Sequence, residues 1–303
     1  MGEKAISMND AAEFAKEMQA INWANPMERL AVAQVVAESV KDAVDLTDPI
    51  RVLGIDVQKI KPGDSVQFVS RKGARAYIHA PGTAAPRSMI VNRVQTLDTE
   101  LVSVNLEFEL NQLKSGRYGS VADIKEEGRS GLIYKKWQII WDTIRGSIAS
   151  GAANYWTSAG VSPLDKMNAL DSGIDYVADQ PGRASAIIGR RSDLSWLLKG
   201  FGTTSGVVWA DAEKSKILKD GLFPVYRGIP IIELNSYKDI YGAEMITTGT
   251  IMVLNESTLK VGQSYAPEAY EALNADTLVW NIHLATMFGC GVFFPERNAR
   301  IVL

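Results

Sequence analysis

Nucleophilic catalysis needs a thiol or hydroxyl beside a base, and this chain holds one cysteine, Cys290, and two histidines, His79 and His283. His283 stands seven positions before Cys290, which in an extended segment is upwards of roughly 20 Å of chain, and no acid is placed to orient it. The pair is read as structural, with Cys290 a small buried hydrophobe. A single cysteine also excludes an internal disulfide and a thiolate cluster for zinc. The glycine-rich stretch Gly200-Phe-Gly-Thr-Thr-Ser-Gly206 follows a helical pattern instead of joining strand to helix, and its spacing fits neither a dinucleotide nor a P-loop signature, so it reads as a loop. Asp165, Asp171, Asp175 and Asp179 lie along a helical pattern without the spacing of a calcium loop and read as solvated helix-face acids. Asn255-Glu-Ser257 is a formal glycosylation sequon with no secretory signal ahead of it, and it carries no weight. Trp137 and Trp141, four apart, suit packing against a sheet or a neighbouring subunit better than a ligand pocket. The inventory supplies no catalytic, cofactor-binding or metal-binding residue, and the chain is expected not to be an enzyme.

Composition narrows the classes that remain. With 303 residues, 46% apolar and 22% charged, the chain folds around a substantial core and is neither disordered nor fibrous. A net charge of -3 lacks the basic excess of a protein that gains affinity by neutralising phosphates, so contact with DNA is expected to be weak and non-specific. No apolar run approaches the ~20 residues that span a bilayer, and the start, with Glu3, Asn9 and Asp10, has no signal-like apolar region. The expectation is a chain made and folded in the cytoplasm, with no membrane partner. The charge is unevenly spread. Residues 51–95 carry Arg51, Lys59, Lys61, Arg71, Lys72, Arg75, Arg87 and Arg93 against Asp56 and Asp64, a local +6 that leaves -9 on the rest. Such a segment is either a mating surface for an acidic body, including another copy of the chain, or a solvated hairpin.

The elements that must carry these residues emerge from periodicity. Pro26, Met27, Leu30, Val32, Val35, Val36, Val40 and Val44 predict a helix over 25–45 with Asn25 as its cap. Between 56 and 97 short extended pieces at 65–69, 74–80 and 89–94, broken by Gly and Pro, predict a long β-hairpin. Val102, Val104, Leu106, Phe108 and Leu110 alternate with polar residues, a half-buried strand. The period then changes, and a helix of roughly 30 residues over 120–152 would be about 45–50 Å long. A second helix is predicted from Ser162-Pro163 to about residue 178. Beyond it, strands are expected at 184–189, 229–234, 250–254, 277–288, 291–294 and 299–303, with a short helix at 192–199.

This order resembles the major capsid protein of tailed bacteriophages, the Hong Kong 97-type fold. Three stretches carry the likeness: the strand over 101–111 entering the helix at Ser120, the segment Tyr-Arg-Gly-Ile-Pro-Ile-Ile over 226–232, and the segments 276–283 and 294–303. The resemblance implies an α+β chain with an N-terminal arm (1–56), an extended β-hairpin loop (57–97), a peripheral domain with a long spine helix (98–160 and 255–290) and an α/β axial domain (161–254 and 291–303). It further implies self-assembly into pentamers and hexamers that form an icosahedral shell around DNA, in a virion. An encapsulin-like bacterial compartment is the alternative. With about 50 residues before the loop the chain lacks the long scaffolding segment of some members, which implies a separate scaffolding protein or none; a portal and decoration proteins are further implied partners. Lys61, Arg71, Lys72, Arg75 and Arg87 would then lie on a subunit interface, and Gly54, Gly116 and Gly128 are candidate hinges. No lysine–asparagine cross-link is predicted from Lys61 or Lys72.

Overall fold

The structure, a computed structural model, describes residues 11–47, 53, 55, 57–61, 66–72, 91–117, 121–197, 225–235, 238, 243–256, 258–264, 268–274 and 276–303. The predicted strand at 74–80, the loop 200–206, His79, Arg75, Arg87 and Gly54 lie outside these residues.

Two helices start where local chemistry requires them. Asn25 Oδ1 accepts from the Met27 amide at 3.1 Å, and Glu28 reaches back to the Asn22 amide at 2.8 Å, opening α2 (Pro26–Thr47). Ser162 Oγ accepts from the Asp165 amide at 3.2 Å with Pro163 in the first turn, opening α5 (Pro163–Ala178). A helix that the pattern does not announce, α1 (Ala11–Ala20), is held by tertiary contact: Met18 is buried and Gln19 Nε2 donates to the Lys114 carbonyl at 2.8 Å.

The long helix is α4 (Val121–Gly146), 26 residues and shorter than the 120–152 expected. It stops because Gly146 is followed by Ser147, whose hydroxyl turns back to the Ile144 carbonyl, and because Arg300 Nη1 takes the carbonyls of Arg145 and Ile148 at 3.0 and 3.1 Å. A guanidinium there also opposes the negative end of the helix dipole. Ile148 continues the apolar spacing but is buried past the helix end. Along α4, Ile124, Leu132, Ile133, Trp137, Ile140, Trp141 and Ile144 are buried, so both tryptophans are packing residues.

That face packs under the first sheet. Its centre is β12 (Val279–Val292), paired antiparallel with β4 (Glu100–Glu109), β10 (Leu259–Ser264) and β11 (Glu268–Asn274), while β1 (Val57–Ile60) joins β10 in parallel. The two strands expected at 277–288 and 291–294 are thus one strand of 14 residues. A short helical turn, α3 (Leu110–Lys114), continues directly from the end of β4. The second sheet runs β5 (Tyr155–Thr157), β13 (Ala299–Val302), β9 (Thr250–Asn255), β6 (Ala184–Arg190), β8 (Ile229–Leu234), β7 (Val225–Tyr226). All six residues of β9 are buried, as suits a strand covered on both faces. One face joins the core of α4 through Ile188, Ile232 and Met252; the other packs Ile187, Ile251 and Ile301 against Leu170, Ile174 and Val177 of α5. The short helix expected at 192–199 is α6 (Arg191–Leu194), starting one residue earlier.

Candidate functional site

The basic segment is built on a rigid root. Its strands β2 (Val66–Lys72) and β3 (Val91–Leu97) pair antiparallel from Val66–Leu97 outward to Lys72–Val91. Val66, Leu97 and Phe293 form a small core of their own, with the Phe68 and Phe293 rings edge to face at 5.4 Å. Glycines let this core lie directly on the first sheet. A Cβ on Gly262 would come within 2.8 Å of Val66, one on Gly291 within 2.1 Å of Leu97 Cδ2, and one on Gly289 within 2.5 Å of the Asp98 carbonyl oxygen. Gly262 and Gly289 are themselves cross-strand partners on β10 and β12. Both legs of the excursion are tied to that sheet, the incoming one by β1 pairing with β10 and the outgoing one by its continuation into β4.

Past the root the hairpin turns its apolar surface outward. Val69 and Val94 are register partners and each is 55% exposed. Arg71 is paired in register with Asn92 and Lys72 with Val91, and Lys61 lies exposed just after β1. Of the five predicted interface residues the structure therefore places Arg71 and Lys72 on the hairpin and Lys61 at its base. Among the candidate hinges, Gly116 lies just past α3 at φ 72, and α4 runs through Gly128 without interruption. The three seating glycines were not singled out from sequence; the signal was a Gly-x-Gly at 289–291 and a lone Gly262, each inside an otherwise regular strand pattern, which marks close backbone approach.

The reactive side chains do not converge. His283 and Cys290 lie seven apart on one continuous strand, hence on opposite faces of the sheet. Burial pushes the Cys290 thiol up to about 12, offset only in part by a hydrogen bond with Thr143, so it is a poor nucleophile at neutral pH. Asp171 and Asp175 are occupied by a hairpin of the second sheet. Tyr226 donates its hydroxyl to Asp171 at 2.8 Å, and Arg227, in a two-residue turn with Gly228 at φ 50 and 81, reaches Asp175 at 2.6 Å. Burial first, then Asp171, pushes the Tyr226 hydroxyl far above its ordinary value. Among the described residues no group of three His, Cys, Asp or Glu is placed to hold a metal ion, and no helix is long and apolar enough to cross a membrane.

No protein-family model matches the chain and no curated protein matches it. Solved structures do. The capsid of the cyanophage P-SCSP1u superposes with a TM-score of 0.60 at 15% identity, covering 82% of this chain and 86% of that one. A Mycobacterium phage Bobi structure gives 0.59 at 14%, covering 84% and 90%. The virus-like particle from Pyrococcus furiosus gives 0.57 at 14%, covering 88% and 98%. The fold is therefore that of the phage capsid proteins, the Hong Kong 97-type α+β fold that the sequence resembles.

Proposed function

We propose that the chain is the major subunit of an icosahedral phage shell, assembling with copies of itself into pentamers and hexamers around DNA. The observation that carries this reading is the basic segment: a charge of +6 over residues 51–95 against -9 on the rest, whose described strands β2 and β3 are seated on the first sheet and expose the Val69–Val94 pair. A surface that is both charged and apolar, on a fold shared with a cyanophage capsid, suits a partner that is acidic elsewhere, and a second copy qualifies. The work of such a chain is association, not turnover. Each contact can be weak because a closed shell multiplies contacts and holds neighbours at high effective concentration.

In this reading most of the first sheet with α4 belongs to the peripheral domain, 98–160 and 255–290, and most of the second sheet with α5 to the axial domain, 161–254 and 291–303; β1 of the first sheet falls instead in the loop range 57–97, and β5 of the second sheet falls inside 98–160. Residues 57–97 lie over the neighbouring subunit with Lys61, Arg71, Lys72, Arg75 and Arg87 at the contact. Gly54, Gly116 and Gly128 supply bending. A separate scaffolding protein, a portal, decoration proteins and diffuse contact with packaged DNA complete the partners, and assembly takes place in the host cytoplasm. The likeness to the Pyrococcus furiosus particle favours a second reading, an encapsulin-like shell around protein cargo. Negative-stain electron microscopy of the purified chain across a concentration series, with and without a scaffolding protein from the same genome, tests both. Closed particles or rings of five or six subunits support a shell, DNA-filled particles from infected cells favour the phage reading, and a monomer under every condition overturns both.

A further inference from the structure

β4 is an edge of the first sheet. One side of it is bonded to β12 in unbroken register from Glu100–Phe288 to Glu109–Val279, and among the described residues no strand pairs with its other side. At ten residues it is long for a strand, where about 5–6 is usual. The unpaired amides and carbonyls of an edge are a template for another strand, and edges are ordinarily blunted by lysine, proline, a bulge or brevity. β4 has no lysine, proline or bulge, and its only charged residues are glutamates.

The unpaired side opens on a groove of about 420 Å³, lined by residues 105–108 of the strand and by Asp123, Ile124 and Glu127 of α4. Successive strand residues point to opposite faces, so four in a row share one groove only where it runs along the strand's edge. The floor is apolar, since Leu106, Phe108 and Ile124 belong to the core beneath it. Glu107, Asp123 and Glu127 are exposed at the rim, and no lysine, arginine or histidine lines it. A free edge beside an acidic rim selects an extended segment that offers backbone hydrogen bonds together with positive charge.

The chain carries such a segment. β2 and β3 form a sheet of two strands, whose outer sides are likewise unpaired among the described residues, and β2 ends in Ser-Arg-Lys at 70–72 within the +6 stretch. A chain's own hairpin is rooted beside Gly289, at the Glu100 end of β4, and the groove lies five to eight residues further along, about 17–27 Å away. A second copy has no such restriction. We propose that the free edge of β4 is a strand-addition site for the basic hairpin of a second copy: β2 of one chain lies along residues 105–108 of another and brings its Arg71–Lys72 end to the rim of Glu107, Asp123 and Glu127. The first sheet of one copy then continues into the hairpin of the next. Backbone bonds hold the added strand, and charge selects which strand enters. The inference rests on the shell reading for the hairpin as the contact, and it names the surface that receives it.

The test uses the full chain and a charge swap. Glu107→Lys with Glu127→Lys reverses the rim and spares Asp123, which sits in the first turn of α4 and suits the positive end of its dipole. This chain should not associate alone, nor should one carrying Arg71→Glu with Lys72→Glu, and circular dichroism should show both folded. Mixed, they should associate one with the other, as read by native mass spectrometry, because each hairpin then meets a groove of opposite charge. If the reversed rim does not fold, Glu107→Gln with Glu127→Gln should raise the concentration at which association begins about tenfold. Hydrogen exchange at the amides of residues 105–108 should slow when the wild-type chain associates. Normal assembly of the rim-reversed chain, a mixture that stays apart, or unchanged exchange at 105–108 overturns the groove and leaves the shell reading intact. A wild-type chain that remains monomeric under every condition overturns both.

Discussion

Gly262, Gly289 and Gly291 decide how closely the hairpin root can approach the sheet, and the three are not equivalent. At Gly289 an added Cβ meets a backbone carbonyl 2.5 Å away that cannot rotate aside, whereas at Gly291 it meets the end of the Leu97 side chain. Gly289→Ala is expected to destabilise by about 1–3 kcal/mol, and Gly291→Ala by less, as read from urea midpoints; equal losses would mean that the root is not held rigidly. Cys290 yields a pH prediction. Its folded pKa, raised from 9.0 to about 12, keeps the thiol neutral where the unfolded chain ionises. Stability from this group is therefore complete below about pH 9 and falls as pH climbs from about 9 to about 12. Cys290→Ala should flatten part of that alkaline loss and leave a remainder from Tyr226, whose hydroxyl is pushed up in the same direction. Urea midpoints at neutral and alkaline pH measure both.

Between elements, one ion pair fastens α2 to β11. Arg29 Nε lies 2.9 Å from Glu271 Oε2 with both side chains nearly buried, Arg29 Nη1 also donates to the Trp23 carbonyl, and Trp280 Nε1 donates to Glu271. Arg29→Ala strands a buried carboxylate and is expected to cost about 3–5 kcal/mol, while replacing Arg29 with Met and Glu271 with Leu together should recover most of it. A double-mutant cycle by chemical denaturation checks this, and additive losses would refute the coupling. How far each element was legible in the sequence depends on the range of its causes. The caps at Asn25 and Ser162 act within three residues, so the starts of α2 and α5 could be read directly. The alternation of β4 was equally plain, since one face meets α4 and the other does not. The end of α4 was not, because a guanidinium 155 residues away caps it. Nor was the continuity of β12: the expected strands at 277–288 and 291–294 leave a gap at Gly289 and Cys290, yet Gly289 and Gly291 serve a close approach by a distant segment. The site divided in the same way. The charge of the hairpin was legible by counting, whereas its glycine seat exists only once remote strands are paired.

For the whole molecule, the division of charge makes association sensitive to salt. If a +6 hairpin seats on an acidic neighbour, reversing Arg71, Lys72 and Arg75 to Glu should stop assembly and leave the monomer folded, as judged by circular dichroism beside electron microscopy. Raising the ionic strength should weaken the wild-type contact progressively, because exposed charges are screened beyond about 10 Å at 0.1 M salt; particles indifferent to both changes would sink the docking proposal. The pairing of the sheets bears on synthesis as well. Residues 279–303 supply β12, the strand that β4, β10 and β11 all share, and β13, which joins β5 to β9. Neither sheet can close until these residues have left the ribosome, and such long-range pairings are slow to form. Until then the apolar stripe of β4 has no strand beside it and is open to wrong partners. A nascent chain cut short before residue 279 carries neither completed layer, so translation itself acts as a checkpoint that keeps broken subunits out of whatever this protein builds.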